Sequence, residues 1–176
     1  MNATALEIRI VGDPALRKKA KRVSRVGPGH AKTLSDMARQ MYDSKGIGLA
    51  APQVGINECL IVVDIGTGLY KLINPRIVRR QGRQELEEGC LSVPGVYLKV
   101  RRARKIRVEA LDETGAARTI DAEDLLACVF QHEIDHLEGK LIIDYASFLE
   151  KLSLNKKLRN IKNERLSEPQ GQHTRL

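Results

Sequence analysis

The run Leu125-Leu126-Ala127-Cys128-Val129-Phe130-Gln131-His132-Glu133-Ile134-Asp135-His136-Leu137-Glu138 decides how this chain folds. Asp121 stands where it can cap a helix, Glu123 and Asp124 complement the helix dipole, and Gly139 ends it. This is the most apolar helix the sequence predicts, so it is expected to lie buried among strands. Within it, His132-Glu133-Ile134-Asp135-His136 is an HExxH. Residues four apart share one helical face, so both imidazoles reach a single metal ion while Glu133 projects beside them towards a water. Such a short pattern also arises by chance, its histidines then being surface or satisfied core residues. Against chance stands the cost of burying a titratable cluster that is neither paired nor metal-bound, several kcal/mol.

Outward from that helix the chain reads mostly as strand. Upstream, Leu34, Met37, Ala38, Met41 and Tyr42 recur at helical spacing from His30, an amphipathic helix ending near Lys45-Gly46. A glycine-rich loop, GIGLAAPQVG, leads into β-type runs at Cys59–Ile65, Leu72–Val78, Val96–Val100 and Ile106–Leu111. Asp112-Glu113-Thr114-Gly115 reads as a hairpin turn into Ala117–Ile120. Ile8–Val11 and Leu141–Ile143 are expected to be short strands, and Leu16–Val26 to hold a turn or two of helix. Ser147 with Glu150 forms a capping box that opens a third helix, striped by Leu154, Leu158 and Ile161. With no internal repeat and no linker, residues 1–166 form one expected domain, 146–166 its basic C-terminal helix, and 167–176 a disordered tail.

Composition narrows the class. The chain has 176 residues, 42% of them hydrophobic and 30% charged, with a net charge of +8. That is enough for one domain with its own core and too apolar for a disordered chain. Four Tyr, two Phe and no Trp supply a base-stacking platform poorly, and no nucleic-acid motif accompanies the charge. From Lys151 onward there are seven Lys or Arg against two Asp or Glu, so most of the positive excess lies in the C-terminal segment. No apolar run approaches the ~20 residues that cross a bilayer, and the opening has no apolar segment bounded by a cleavage site. Cys59, Cys90 and Cys128 cannot all pair and are too scattered for a small disulfide framework, which predicts a reducing cytoplasm.

An HExxH site that does chemistry needs a third protein ligand and an open position. Metzincins supply a downstream His, but Ile142 stands there, which excludes that class. Glu150 and Glu164 are downstream carboxylates, and Glu150 is better explained by its capping box. A stronger source is upstream, in Glu88-Gly89-Cys90-Leu91-Ser92. The glycine-rich loop lacks a P-loop Lys-Ser/Thr and a GxGxxG, so close backbone approach explains it better than phosphate binding.

Three motifs, GIGLAAPQ at 46–53, EGCLS at 88–92 and QHEIDHL at 131–137, together resemble the peptide deformylase family in order and separation. The likeness also takes in GDPALRKKAKRV and much of the strand region, leaving mainly the C-terminal tail outside. It implies an α+β fold with antiparallel β-sheets wrapped around the central HExxH helix, an N-terminal amphipathic helix and an appended C-terminal helix. It implies metal ligands Cys90, His132 and His136, a catalytic carboxylate at Glu133, and oxyanion contacts from the Gln53 amide and the Leu91 N–H. A thiolate with two neutral imidazoles leaves a tetrahedral ion one position for water. The ion implied is divalent, ferrous iron foremost, although zinc, nickel and cobalt accept the same ligands.

The same likeness places the substrate backbone along Gly46, Ile47 and Gly48, and Glu88 and Gly89 are further expected substrate contacts. The methionine side chain is expected against Ile47, Leu86, Leu125, Cys128, Val129 and the His132 ring. Leu125, Cys128 and Val129 suit ordinary helix core equally well, and the two roles are compatible. Ser92, Gln131 and Arg102 are expected to orient the thiolate and Glu88. The implied activity is removal of the formyl group from N-formylmethionine on new polypeptides, with the C-terminal helix docking on the ribosome or packing on its own domain. Two rival readings share some of these features. An HExxH endopeptidase would cleave internal bonds, and a structural-metal or nucleic-acid module would not need Glu133.

Overall fold

The structure, a computed structural model, describes residues 6–167; the end of the expected tail, 168–176, lies outside them. Helix α1 (Pro28–Asp43) precedes strands β1 (Gly48–Ala50), β2 (Leu60–Val63), β3 (Tyr70–Gln81), β4 (Gln84–Cys90), β5 (Val93–Arg102), β6 (Lys105–Leu111) and β7 (Ala117–Glu123). Helices α2 (Asp124–Leu137) and α3 (Phe148–Ser167) close the chain. Short 3-10 turns lie at Pro14–Arg17, Ala51–Val54 and Ile142–Tyr145. All strand pairs are antiparallel, in a five-stranded sheet of order β1-β2-β3-β6-β7 and a two-stranded sheet β4-β5.

Strand β2 shows why both long helices pack where they do. All four of its residues are buried, and successive side chains point to opposite faces. Leu60 and Val62 join Leu34, Met37 and Met41 of α1. Ile61 and Val63 join Ala127, Phe130 and Leu137 of α2. The HExxH helix thus rests on one face of the large sheet, and the β4-β5 hairpin crosses its other side, where Arg102 reaches Asp135 and Cys90 reaches His136. A third cluster joins Leu16, Val93, Val96 and Ile142 to Leu154, Leu158 and Ile161, so the predicted stripe of α3 does pack on the body.

Several expected elements shift. The sheet keeps the segment assigned to the start of α2: Arg107 pairs with Asp121 and Lys105 with Glu123, so β7 runs to Glu123 and the helix begins at Asp124. Ile8–Val11 is extended but makes no strand ladder. Instead Arg9 N–H donates to Gln53 O (2.6 Å) and Val11 N–H to Ser92 O (2.8 Å), tying together two loops that carry site residues. Leu141–Ile143 leads into a 3-10 turn rather than a strand, because Asp144 Oδ2 accepts Leu141 N–H and turns the chain. The hairpin at 112–115 is as read, with Gly115 at φ 87° and Asp112 N–H bonded to Ala116 O. So is the capping box, Ser147 N–H to Glu150 Oε2 (2.7 Å) and Glu150 N–H to Ser147 Oγ (3.3 Å).

Candidate metal centre and active site

Three elements converge on one point. Strand β4 ends at Cys90, helix α2 presents His132 and His136 one turn apart, and the turn Ala51–Val54 presents Gln53. The ligand atoms of Cys90, His132 and His136 all lie within 4.8 Å of one another. Cys90 Sγ is 3.3 Å from His136 Nε2, which is 3.2 Å from His132 Nε2. A tetrahedral ion bonded at ordinary lengths to nitrogen and sulfur separates its donors by about 3.3–3.6 Å, close to the two separations at His136 Nε2. Burial holds the His136 imidazole well below its usual range, in the neutral form that ligates. For His132 burial is outweighed by the Cys90 sulfur and the Glu88 carboxylate, which favour positive charge at this spot.

Glu133 sits beside the donors, 3% exposed, with Oε2 buried and lacking a hydrogen-bond partner among the described residues. Burial pushes its carboxyl up to about 7. The carboxylate has room only because residue 48 is glycine: a Cβ there would stand 2.2 Å from Glu133 Oε1 and 2.8 Å from its Cδ. An orphaned buried oxygen is costly, and a proton-bearing group at the centre relieves it.

Around this core Gln53, His132, Glu88 and Cys128 have traceable anchors, while His136 Nδ1, like Glu133 Oε2, is buried without a hydrogen-bond partner among the described residues. Gln53 Oε1 accepts Ala50 N–H (2.8 Å), which turns its Nε2 towards Ser92 Oγ (3.2 Å) and Cys90 Sγ (3.7 Å). His132 Nδ1 meets Glu88 Oε2 at 2.9 Å, and Arg102 holds both Glu88 oxygens at 2.8 and 2.9 Å. Burial opposes the Glu88 charge, but the bonds from Arg102 and His132 prevail and hold its carboxyl down to about 2. The Cys128 thiol, pushed up to about 12 mainly by burial, donates to Glu88 Oε1 at 3.1 Å.

A cavity of about 480 Å³ opens onto Cys90 and His132, with His136 buried behind them. Gly46, Ile47, Gly48, Gln53, Leu86, Glu88, Gly89, Cys90, Leu91, Leu125, Cys128, Val129, His132 and Glu133 all line it, so every expected contact residue for substrate faces one space. Two expectations need correction. Ser92 bonds Gln53 rather than the thiolate, and Gln131 turns away from Glu88 to clasp Ala103 through both its amide atoms (3.0 and 2.9 Å). Sequence reasoning missed Lys45, Glu87, Pro94, Gly95 and Val96, which also line it. It also missed Asp135 and Tyr145, which contact Arg102. For Asp135 the signal was there, in its place between the two histidines.

A Cys-His-His donor set next to a buried carboxylate, at the mouth of one cleft, is the equipment of a mononuclear metal-dependent hydrolase. The chain belongs to the polypeptide deformylase family, whose sequence profile matches residues 5–152. A peptide deformylase from Caldanaerobacter subterraneus subsp. tengcongensis is 51% identical over 148 residues, covering 84% of this chain and 93% of its own length. The crystal structure of a peptide deformylase from Legionella pneumophila superposes with a TM-score of 0.87 at 42% identity, covering 94% of this chain and 100% of that one. A Synechococcus elongatus peptide deformylase, solved in complex with actinonin, gives 0.82 at 46% identity, covering 89% and 88%. The chain is therefore an enzyme with the α+β fold of that family. Among the described residues no helix is long and apolar enough to cross a membrane.

Proposed function

We propose that this enzyme hydrolyses the formyl amide of N-formylmethionine at the start of newly made polypeptides, releasing formate and a free amine. The observation that carries the reading is the convergence of Cys90, His132 and His136 with the Glu133 carboxylate seated over Gly48. Those three ligands would hold a divalent ion, which when bound would supply Lewis acidity and a water that is nucleophilic near neutral pH. Glu133, its carboxyl raised by burial, accepts the proton of the attacking water and returns one to the departing amine. The Gln53 Nε2–H and the Leu91 N–H stabilise the negative charge that develops on the formyl oxygen. Gly46, Ile47 and Gly48 on one side and Glu88 and Gly89 on the other bind the peptide backbone as an added strand. Ile47, Leu86, Leu125, Cys128 and Val129 hold the methionine side chain.

Ferrous iron is the ion proposed in the cell, with zinc, nickel or cobalt able to replace it. Its test is anaerobic purification with elemental analysis, and faster loss of activity in air than in a nickel-substituted form; equal lifetimes argue against iron. The enzyme works in the cytoplasm as one catalytic unit, residues 1–166, with its C-terminal helix set to dock on the ribosome. Support for docking comes from the basic excess and from Phe148, Leu149 and Leu152, which are 75%, 76% and 54% exposed while the opposite stripe packs on the body. No sequence-specific nucleic-acid contact and no membrane contact is proposed. Incubation of the metal-loaded protein with formyl-Met-Ala-Ser and, separately, with an unfolded protein separates the reading from an endopeptidase. Formate without internal cleavage is expected, and peptide fragments without formate would sink the proposal.

A further inference from the structure

We propose that Tyr145 is a positioning residue for the metal centre, fixing the His132 ring through Arg102 and Glu88 and so setting how firmly the three donors keep an ion. The inference rests on reading Cys90, His132 and His136 as metal ligands.

Both oxygens of Glu88 are fully engaged. Oε2 meets His132 Nδ1 and Arg102 Nη2, while Oε1 accepts Arg102 Nε–H and the Cys128 thiol. By occupying Nδ1, the carboxylate leaves the His132 Nε2 lone pair for the ion and fixes the plane of the ring. The direction of Glu88 depends in turn on a planar guanidinium that is itself buried, its side chain 4% exposed. What holds that guanidinium from behind is Asp135, which meets Arg102 Nη1 at 2.5 Å, together with Tyr145. Tyr145 makes three contacts there. Its Oη accepts from Arg102 Nη1 at 3.3 Å and donates to Asp135 Oδ2 at 2.7 Å, and its ring lies 4.8 Å from the guanidinium carbon.

Tyr145 does not line the cavity, so it acts through Arg102 and not on substrate. Its own place is set by its neighbour: Asp144 is gripped by Arg17 through two bonds of 2.6 and 3.0 Å and accepts Leu141 N–H at 2.8 Å. A continuous path of direct contacts therefore runs from the N-terminal turn, through the segment leading into α3, to the ring of a metal ligand. Loss of Tyr145 opens the guanidinium face to water and frees Asp135 and Arg102 to rearrange, which loosens Glu88 and tilts His132.

The test uses full-length protein loaded with cobalt(II), whose visible spectrum reports the Cys-His-His geometry, and follows release of the ion to a chelator well below the unfolding temperature. Tyr145→Phe keeps the ring and loses the hydroxyl, and should release cobalt about 3-fold faster. Tyr145→Leu loses both and should release it about 10-fold faster with a shifted spectrum, the lower end of the 10–100-fold seen for groups bonded directly to a ligand. Arg102→Lys, which removes the fork, should reach or exceed that. Leu34→Ala, which opens the α1 core in a cluster that holds none of the network residues, serves as the control for general destabilisation and should release at the wild-type rate. Wild-type release and spectrum in both Tyr145 variants would overturn the proposal, as would equal acceleration in Leu34→Ala. If Tyr145→Leu fails to fold, Tyr145→Phe decides alone. A wild-type chain that takes up no cobalt would overturn the metal reading along with this one.

Discussion

Replacing Gly48 by alanine tests the catalytic geometry at a single methyl group. Gly48 does not occupy the left-handed region, so alanine fits the backbone, and its N–H and C=O stay in the ladder opposite Val63. The added Cβ would lie 2.2 Å from Glu133 Oε1, 2.8 Å from Cδ and 3.0 Å from Cγ. Ordinary carbon–oxygen contact begins more than 3 Å apart, so the carboxylate has to swing aside by about 1 Å, a misplacement that costs about 100-fold in rate. Expressed as transition-state stabilisation this is about 2.7 kcal/mol. The assay is formate release by Gly48→Ala under steady-state conditions, with metal content measured on the same sample. A fall of about 100-fold in kcat at unchanged metal content is expected, with no additional loss when Glu133→Gln is combined with it, since both act on one group. Wild-type kcat in Gly48→Ala would refute the claim that this glycine exists to seat the carboxylate. A full further loss in the double variant would show that it acts elsewhere.

Other consequences follow from the packing and the charges. Phe130 is fully buried and meets Tyr70 edge to face at 5.3 Å, so Phe130→Ala should cost about 3–5 kcal/mol in urea unfolding, and a cost below about 1 kcal/mol would show that this core collapses around the gap. Asp112 is held at about 2 first by the Thr114 hydroxyl, then by the Thr114 and Ala116 N–H groups and Arg118. A depressed carboxyl contributes stability that is present above the unfolded value of about 4 and lost as pH falls towards 2. Asp112→Asn should therefore flatten the stability profile between pH 4 and 2, and an unchanged slope would discount this turn. A chain truncated after Tyr145 should no longer pellet with ribosomes at low salt, whereas undiminished pelleting would remove the docking role of α3.

The site was far more legible in the sequence than the elements that carry it. Residues four apart on a helix must share a face, which put both histidines of HExxH on one side, and Cys90 came as the third ligand from the resemblance that EGCLS carries. The sheet was harder. Strand β4 went unread because Gln84-Glu85-Leu86-Glu87-Glu88 alternates acids with one apolar residue, and its inward Glu88 is buried by partners that lie far away in sequence, Arg102 and His132. Asp121 had the chemistry of a cap and was taken by Arg107 across the ladder instead, a tertiary contact that overrides local preference. Ile8–Val11 had the composition of a strand, yet the N–H groups of Arg9 and Val11 are spent on Gln53 and Ser92. Glycines carried two meanings at once: Gly48 was read for backbone access to a peptide, while its tightest constraint is the Glu133 carboxylate behind it. Tyr145 left no trace in local pattern, because its partners Arg102 and Asp135 reach it only through the fold.

If Cys90, His132 and His136 hold an ion while Glu133 moves the proton, removing the basicity of Glu133 must abolish turnover and leave metal binding intact. Glu133→Gln keeps the size of the side chain and removes its basicity. Anaerobically purified wild type and Glu133→Gln would be compared for bound metal per chain and for formate released from formyl-Met-Ala-Ser. One ion per chain is expected in both proteins, with a loss of at least about 100-fold in turnover for Glu133→Gln. Turnover near the wild-type rate in Glu133→Gln, or a wild-type chain that turns over substrate with no ion bound, would contradict it.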